Sequence, residues 1–135
     1  MPMTDDHDDG VKSVVYIQSS GVDTPQRAAT PFFLAATAAA MEWDVKIYFT
    51  INGPSLLKKG VAENLYVKKD GKNGGGAPLS HFIAQAQDLG VELLCCQPSL
   101  DLNDLDHEDL IDGVRMIGGA AFNSMAAKAS AVVCF

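Results

Sequence analysis

The sequence is short of cysteines, of basic residues and of long apolar runs, and each shortage closes off a class of protein. Its three cysteines, Cys95, Cys96 and Cys134, form an odd set with no Cys-x-x-Cys pair, too few and too badly spaced for a disulfide framework. Adjacent cysteines seldom supply two corners of a tetrahedral zinc shell, and His7, His81 and His107 are scattered, so no metal site is expected. Reduced thiols are the expectation. The 10 Lys and Arg are outnumbered by 17 Asp and Glu, giving a net charge of −7, which repels a phosphate backbone and excludes nucleic acid as a partner. The longest apolar candidate, Ala28 to Met41, is broken by Thr30, Pro31 and Thr37, so no membrane span is expected. Met1 to Gly10 is rich in Asp and has neither the basic start nor the apolar core of a signal peptide, so residues 1–10 read as a frayed acidic tail of a cytoplasmic protein. Residues 11–135 suit one ordinary domain, since 47% of the chain is hydrophobic and 20% charged.

What is present alternates between two periods. Lys12 to Gln18 is a β-branched and aromatic run, read as the first strand, and Thr24 followed by Pro25 gives an N-cap and a first helical residue. The helix is expected to run to about Glu42, with Pro31 either kinking it or marking a second start after Thr30. It has hardly any polar face, so a second subunit is expected to cover it. Asp44 to Thr50 reads as the second strand, and Asn52-Gly53-Pro54-Ser55 turns the chain into a helix containing Leu56, Leu57 and Val61. Val67 to Ala77 has four glycines and no periodicity, which predicts a mobile loop long enough to be a lid. Pro78 opens a helix with Leu79, Phe82, Ile83 and Ala86 on one face, ended by Gly90. Val91 to Cys96 is an apolar run suited to a strand buried on both faces. An acidic helical stretch over Asp106 to Asp112, a strand over Val114 to Ile117, a helix over Ala120 to Ala129 and a strand over Ala131 to Phe135 complete the pattern. Strands alternating with helices, without hairpin signals, predict a single α/β domain with an open five-stranded parallel sheet and helices on both faces.

In open parallel sheets, reactive groups gather beyond the carboxyl ends of the strands. Those ends carry Gln18-Ser19-Ser20, Thr50 to Asn52, and Cys95-Cys96-Gln97. A phosphoacceptor domain needs acids at the first and third of these places, and a dinucleotide site needs G-x-G-x-x-G where this chain has SSGVDT. Amides near Thr24 leave a flavodoxin-like small-anion binder as an alternative. Neighbours in a strand point to opposite faces, so Cys95 and Cys96 cannot share a cavity unless the strand has ended. Cys95 and Cys134 read as small buried hydrophobes. Cys96 differs, because Gln97-Pro98-Ser99 follows it and can begin a helical turn whose amides favour thiolate. Six acids, Asp101, Asp104, Asp106, Glu108, Asp109 and Asp112, oppose that charge, while Lys58, Lys59, Lys68, Lys69 and Lys72 could counter them from the lid region. Solvated surface is the plainer reading of both clusters. Ser80-His81 reads as an N-cap and a helix residue rather than a catalytic pair.

The stretch ENL, a Gly-rich loop, APLSHFIAQAQDLGVELLCC and QPSLDLNDLDHEDLIDGVRMIGGAAF, closing on AVVCF, carries a further pattern, most specific at Cys-x-x-Ser-Leu-Asp over Cys96 to Asp101. On these residues the chain resembles the DsrE/DsrF-like family of sulfur-transfer proteins. The resemblance implies a homotrimer or homohexamer, and a cysteine at the end of the third strand, here Cys96, that carries sulfane sulfur as a persulfide without a cofactor. Cys95 matches no fixed position and either assists or packs. The resemblance also implies a low-molecular-weight sulfane-sulfur donor and a TusA-like sulfur carrier protein as partners. A non-catalytic assembly subunit of a sulfur-transfer complex is the alternative from another class.

Overall fold

The three runs that are apolar on both faces take the interior of the sheet: β1 (Ser13–Gln18), β2 (Asp44–Phe49) and β3 (Glu92–Cys96). The shorter β4 (Val114–Ile117) and β5 (Ala131–Cys134) form its edges. The computed structural model describes residues 10–66 and 76–135. Its five strands are all parallel in the order β4-β3-β2-β1-β5. Stepping from β1 to β4 moves in one direction and the step to β5 reverses it, and crossovers of constant hand must then change face. Accordingly α1 (Ala29–Ala40) and α2 (Leu79–Asp88) pack on one face and α4 (Gly119–Lys128) on the other.

The first face holds the larger core, in which Ile47, Phe49, Leu93 and Cys95 meet Phe32, Ala35, Leu79 and Ile83. Leu56 and Leu57, both fully buried, close the same core. The α4 face is thinner: Val15, Tyr48 and Leu94 are covered by Phe122, Met125 and Ala129. No helix among the described residues is long and apolar enough to cross a membrane. The acidic tail expected over 1–10, except for Gly10, and the lid expected over 67–77, except for Gly76 and Ala77, lie outside the described residues.

Five local expectations are corrected. The first helix begins at Ala29 after a separate 3-10 turn, Pro25–Arg27. Pro31 has no N–H to donate, and an α-helix tolerates that only in its first turn, so the continuous helix can start no earlier. The helix expected around Leu56, Leu57 and Val61 is two 3-10 turns, Gly53–Leu57 and Ala62–Asn64, and the acidic helix expected over Asp106 to Asp112 shrinks to the 3-10 turn His107–Asp109. One cause explains both: Lys59 N–H donates to Asp109 O at 2.8 Å and Ile111 N–H to Leu57 O at 2.9 Å, pairing two extended segments that each would otherwise have coiled. Ser80 stands inside the first turn of α2, whose N-cap is Pro78. Cys134, expected in the core, is exposed, because β5 is an edge strand whose four residues all face solvent.

The first helix is also less exposed than its composition suggests. Pro31, Phe32, Ala35, Ala36 and Ala38 are buried within the chain, leaving Thr30, Phe33, Thr37 and Ala40 as the outward stripe. Glycine matters at two places for the site. A side chain at Gly21 would collide with the Asn52 carbonyl, and one at Gly53 with the Gln18 carbonyl, so these two residues let the loop after β2 pack against the loop after β1.

Candidate functional site

Strand alternation separates the two adjacent cysteines. Cys95 points into the large core and is fully buried, while Cys96 packs on the α4 face and is half-buried. Cys96 ends β3 and stands as the N-cap of α3 (Gln97–Leu102), so its side chain leaves the sheet where a new helical turn begins. Pro98 supplies no amide, which leaves the Ser99 N–H as the first backbone donor able to face the sulfur.

Three hydroxyls surround the sulfur. Ser99 Oγ lies 2.8 Å from Cys96 Sγ, Thr50 Oγ1 lies 3.6 Å from it, and the Tyr48 hydroxyl faces it as well. Ser99 is almost fully buried, and its oxygen accepts the Ile51 N–H at 2.7 Å. An amide can only donate, so this bond leaves the Ser99 proton free for the sulfur. Thr50 Oγ1 is also 3.2 Å from Ser99 Oγ, which joins the two hydroxyls. A thiolate accepts without donating, and it uses the protons of this network more fully than a thiol does.

Burial pushes the Cys96 thiol up, but the hydrogen-bonded Ser99 and Thr50 hydroxyls, with the nearby Ser99 amide and Tyr48 hydroxyl acting in the same sense, outweigh it and hold the group below its ordinary 9.0. No carboxylate is among the groups acting on this sulfur, so the opposition expected from the six acids that follow is not realised. Burial pushes Cys95 up to about 12, aided by the charge of Cys96, so it remains a thiol. Tyr48 is likewise pushed up to about 12, by burial first and then by Cys96, which keeps it a proton donor. Its ring stacks on Phe122 with centroids 4.2 Å apart, and this fixes where the hydroxyl points.

One backbone departure adjoins the sulfur. Ile51 has φ 57°, the left-handed region, which for a β-branched residue stores about 1–3 kcal/mol of strain. The strand pairings place Cys134 on the same sheet face as Cys96, three strands away, or about 14 Å at the usual strand spacing. That span is too wide for a disulfide between them.

The structure therefore keeps Cys96 in a polar setting and puts Cys95 and Cys134 elsewhere. Tyr48 was not singled out from the sequence, Thr50 only as a residue at a strand end, and Ser99 only as part of a motif and a helical turn. Alternation along β2 puts Tyr48 and Thr50 on one face, but only the pairing of β2 with β3 brings that face to Cys96. Of the five lysines expected to counter the acids, Lys58 and Lys59 are exposed beside Asp109 and Leu110, and Lys68, Lys69 and Lys72 lie outside the described residues.

Comparison with known proteins agrees with this architecture. A solved E. coli protein, ychN, superposes with a TM-score of 0.72 at 16% identity, covering 93% of this chain and 100% of that one. A protein of unknown function from Methanobacterium thermoautotrophicum, MTH1491, gives 0.60 at 12% identity with the same coverage of each chain. Both likenesses concern the fold. In sequence, the sulfur carrier protein DsrE2 of Allochromatium vinosum is 29% identical, over 75% of this chain and 85% of the relative. The profile of the DsrE/DsrF-like family matches residues 12–135, nearly everything beyond the acidic start, and the chain belongs to that family.

Proposed function

We propose that this protein is a sulfur carrier and sulfurtransferase that holds sulfane sulfur on Cys96 as a persulfide and relays it between partners. The observation that carries this reading is the Cys96 sulfur itself, half-buried, 2.8 Å from the Ser99 hydroxyl and held below the ordinary thiol range. Membership of a family that includes a named sulfur carrier supports it.

The chemistry needs no cofactor and is redox-neutral. The Cys96 thiolate attacks the outer sulfur of a donor persulfide, a new S–S bond forms, the donor S–S bond breaks, and the donor leaves as a thiolate with the electron pair. The acceptor's thiolate then attacks the outer sulfur on Cys96, and Cys96 departs as thiolate. A lowered pKa helps both steps, since it raises the nucleophile's ionised fraction and makes Cys96 a better leaving group. Tyr48, Thr50 and Ser99 stabilise the anion at the start of the first step and at the end of the second. Cys95, buried and protonated on the opposite side of the strand, packs rather than relays.

A low-molecular-weight sulfane-sulfur donor and a TusA-like carrier protein are the partners of this reading, in a cytoplasmic homotrimer or homohexamer. The outward stripe of α1 and the uncharged edge strand β5 support self-assembly, because both leave apolar side chains in water. Intact mass spectrometry after exposure to a persulfide donor tests the central claim. The parent protein gains one sulfur atom, Cys96→Ser gains none, and Cys134→Ser behaves as the parent. If no cysteine loads while circular dichroism shows a folded protein, the non-catalytic assembly subunit replaces this reading.

A further inference from the structure

Asn103 follows α3 directly, one turn beyond Ser99. Its side-chain amide donates to Ile51 O at 2.7 Å and to Ser99 O at 2.6 Å. Both partners are carbonyls, so the NH2 end must face them. Ile51 thus has its N–H held by the Ser99 hydroxyl and its C=O by the Asn103 amide, two side chains from the segment that follows the nucleophile. The residue gripped at both backbone polar groups is one with a left-handed backbone, φ 57°.

Capping the helix does not account for this arrangement. Asp104 adopts φ 55°, Leu105 N–H donates to Leu100 O at 2.9 Å and Asp104 N–H to Asp101 O at 3.2 Å, a Schellman ending that satisfies the last turn by backbone alone. Ser99 O already accepts the Asn103 N–H at 3.2 Å. The bond that reaches across to Ile51 has no part in ending α3.

We propose that Asn103 is a positioning residue for Cys96: by clamping Ile51 in its left-handed conformation, it keeps the Ile51 N–H on Ser99 Oγ and so aims the Ser99 proton at the sulfur. This rests on Cys96 as the reactive thiol. Without the clamp, the Thr50–Ile51 peptide is held on this side only by Thr50 O, which accepts the Gly53 N–H at 2.8 Å, and it can tilt about that bond toward a less strained conformation, turning its N–H off Ser99. The Ser99 hydroxyl then loses the bond that orients it.

The test follows Cys96 alkylation by iodoacetamide against pH in a Cys134→Ser background, so that the exposed Cys134 does not react. Asn103→Ala is expected to move the inflection upward and slow alkylation at neutral pH about tenfold, the size of one well-aligned hydrogen bond to a charged sulfur. Ile51→Gly alone is expected to leave the inflection in place, because glycine enters the left-handed region without strain. Combined with Asn103→Ala it is expected to recover most of the lost rate. A merely structural Asn103 lowers the urea midpoint and leaves the pH profile where it was, and that outcome overturns the proposal. Failure of the double variant to recover overturns the route through Ile51. If Asn103→Ala does not fold, Asn103→Ser, too short to span both carbonyls, must show the same shift. Alkylation requires no sulfur loading, so the carrier function can fail by mass spectrometry while this result stands.

Discussion

Replacing Ser99 by Ala removes a hydroxyl that serves two neighbours at once, and the two losses have different readouts. Its hydroxyl lies 2.8 Å from Cys96 Sγ, placed to donate to the thiolate, and its oxygen accepts the Ile51 N–H over 2.7 Å. A hydrogen bond to a charged group contributes about 1.5–3 kcal/mol. Cys96 is half-buried, so water replaces part of the bond and the lower end applies. About 1.4 kcal/mol corresponds to one pKa unit, so Ser99→Ala is expected to raise the inflection of Cys96 alkylation by about one unit. The Ile51 amide also loses its acceptor, which costs about 1–3 kcal/mol of unfolding free energy, measured by urea titration. The sign of the pH dependence follows from the lowered pKa. Thiolate stabilisation is fully present above the ordinary 9.0 and is lost as pH falls through the folded value, and Ser99→Ala diminishes that portion. An unchanged inflection in a variant whose urea midpoint has fallen would show that Ser99 holds the loop and leaves the sulfur alone, which refutes the reasoning.

Three other outcomes are expected. Tyr48→Phe keeps the stack on Phe122 but removes one donor, so the alkylation inflection rises by less than in Ser99→Ala; an equal or larger rise would make Tyr48 the main donor. Because Cys95 is pushed up to about 12, the fold favours its neutral form, and stability falls as pH rises from 9.0 toward that value. Cys95→Ala is expected to flatten part of that fall in urea midpoints measured against pH, and an unaltered slope assigns it to other groups. Phe33 is 60% exposed on the outer stripe of α1, and Phe33→Asp is expected to lower the mass measured by light scattering at micromolar concentration. An unchanged mass removes Phe33 from the subunit contact.

Much of the fold was legible because its signals are local. The apolar runs 12–18, 44–50 and 91–96 can be buried only as interior strands, and the order of strands and helices leaves a parallel sheet as the simplest solution. The opposite placement of Cys95 and Cys96 was also legible, since two neighbours in a strand cannot face the same way. So was the helical turn after Cys96, which Pro98 opens at a position where its missing N–H does no harm.

The rest depended on which segments meet. Residues 57–59 and 109–111 pair with each other instead of coiling, and nothing in either segment announces the other. Cys134 looked like a core residue until the strand order put β5 at an edge. The partners of the Cys96 sulfur include Thr50, 46 positions back along the chain, and the bond from Asn103 to Ile51 spans 52 positions. By itself the sequence determined which cysteine would leave the sheet, because strand alternation and turn chemistry act over a few residues. Only the tertiary structure decided what surrounds its sulfur, because hydrogen bonds between distant segments exist only once the order of the sheet has brought those segments together.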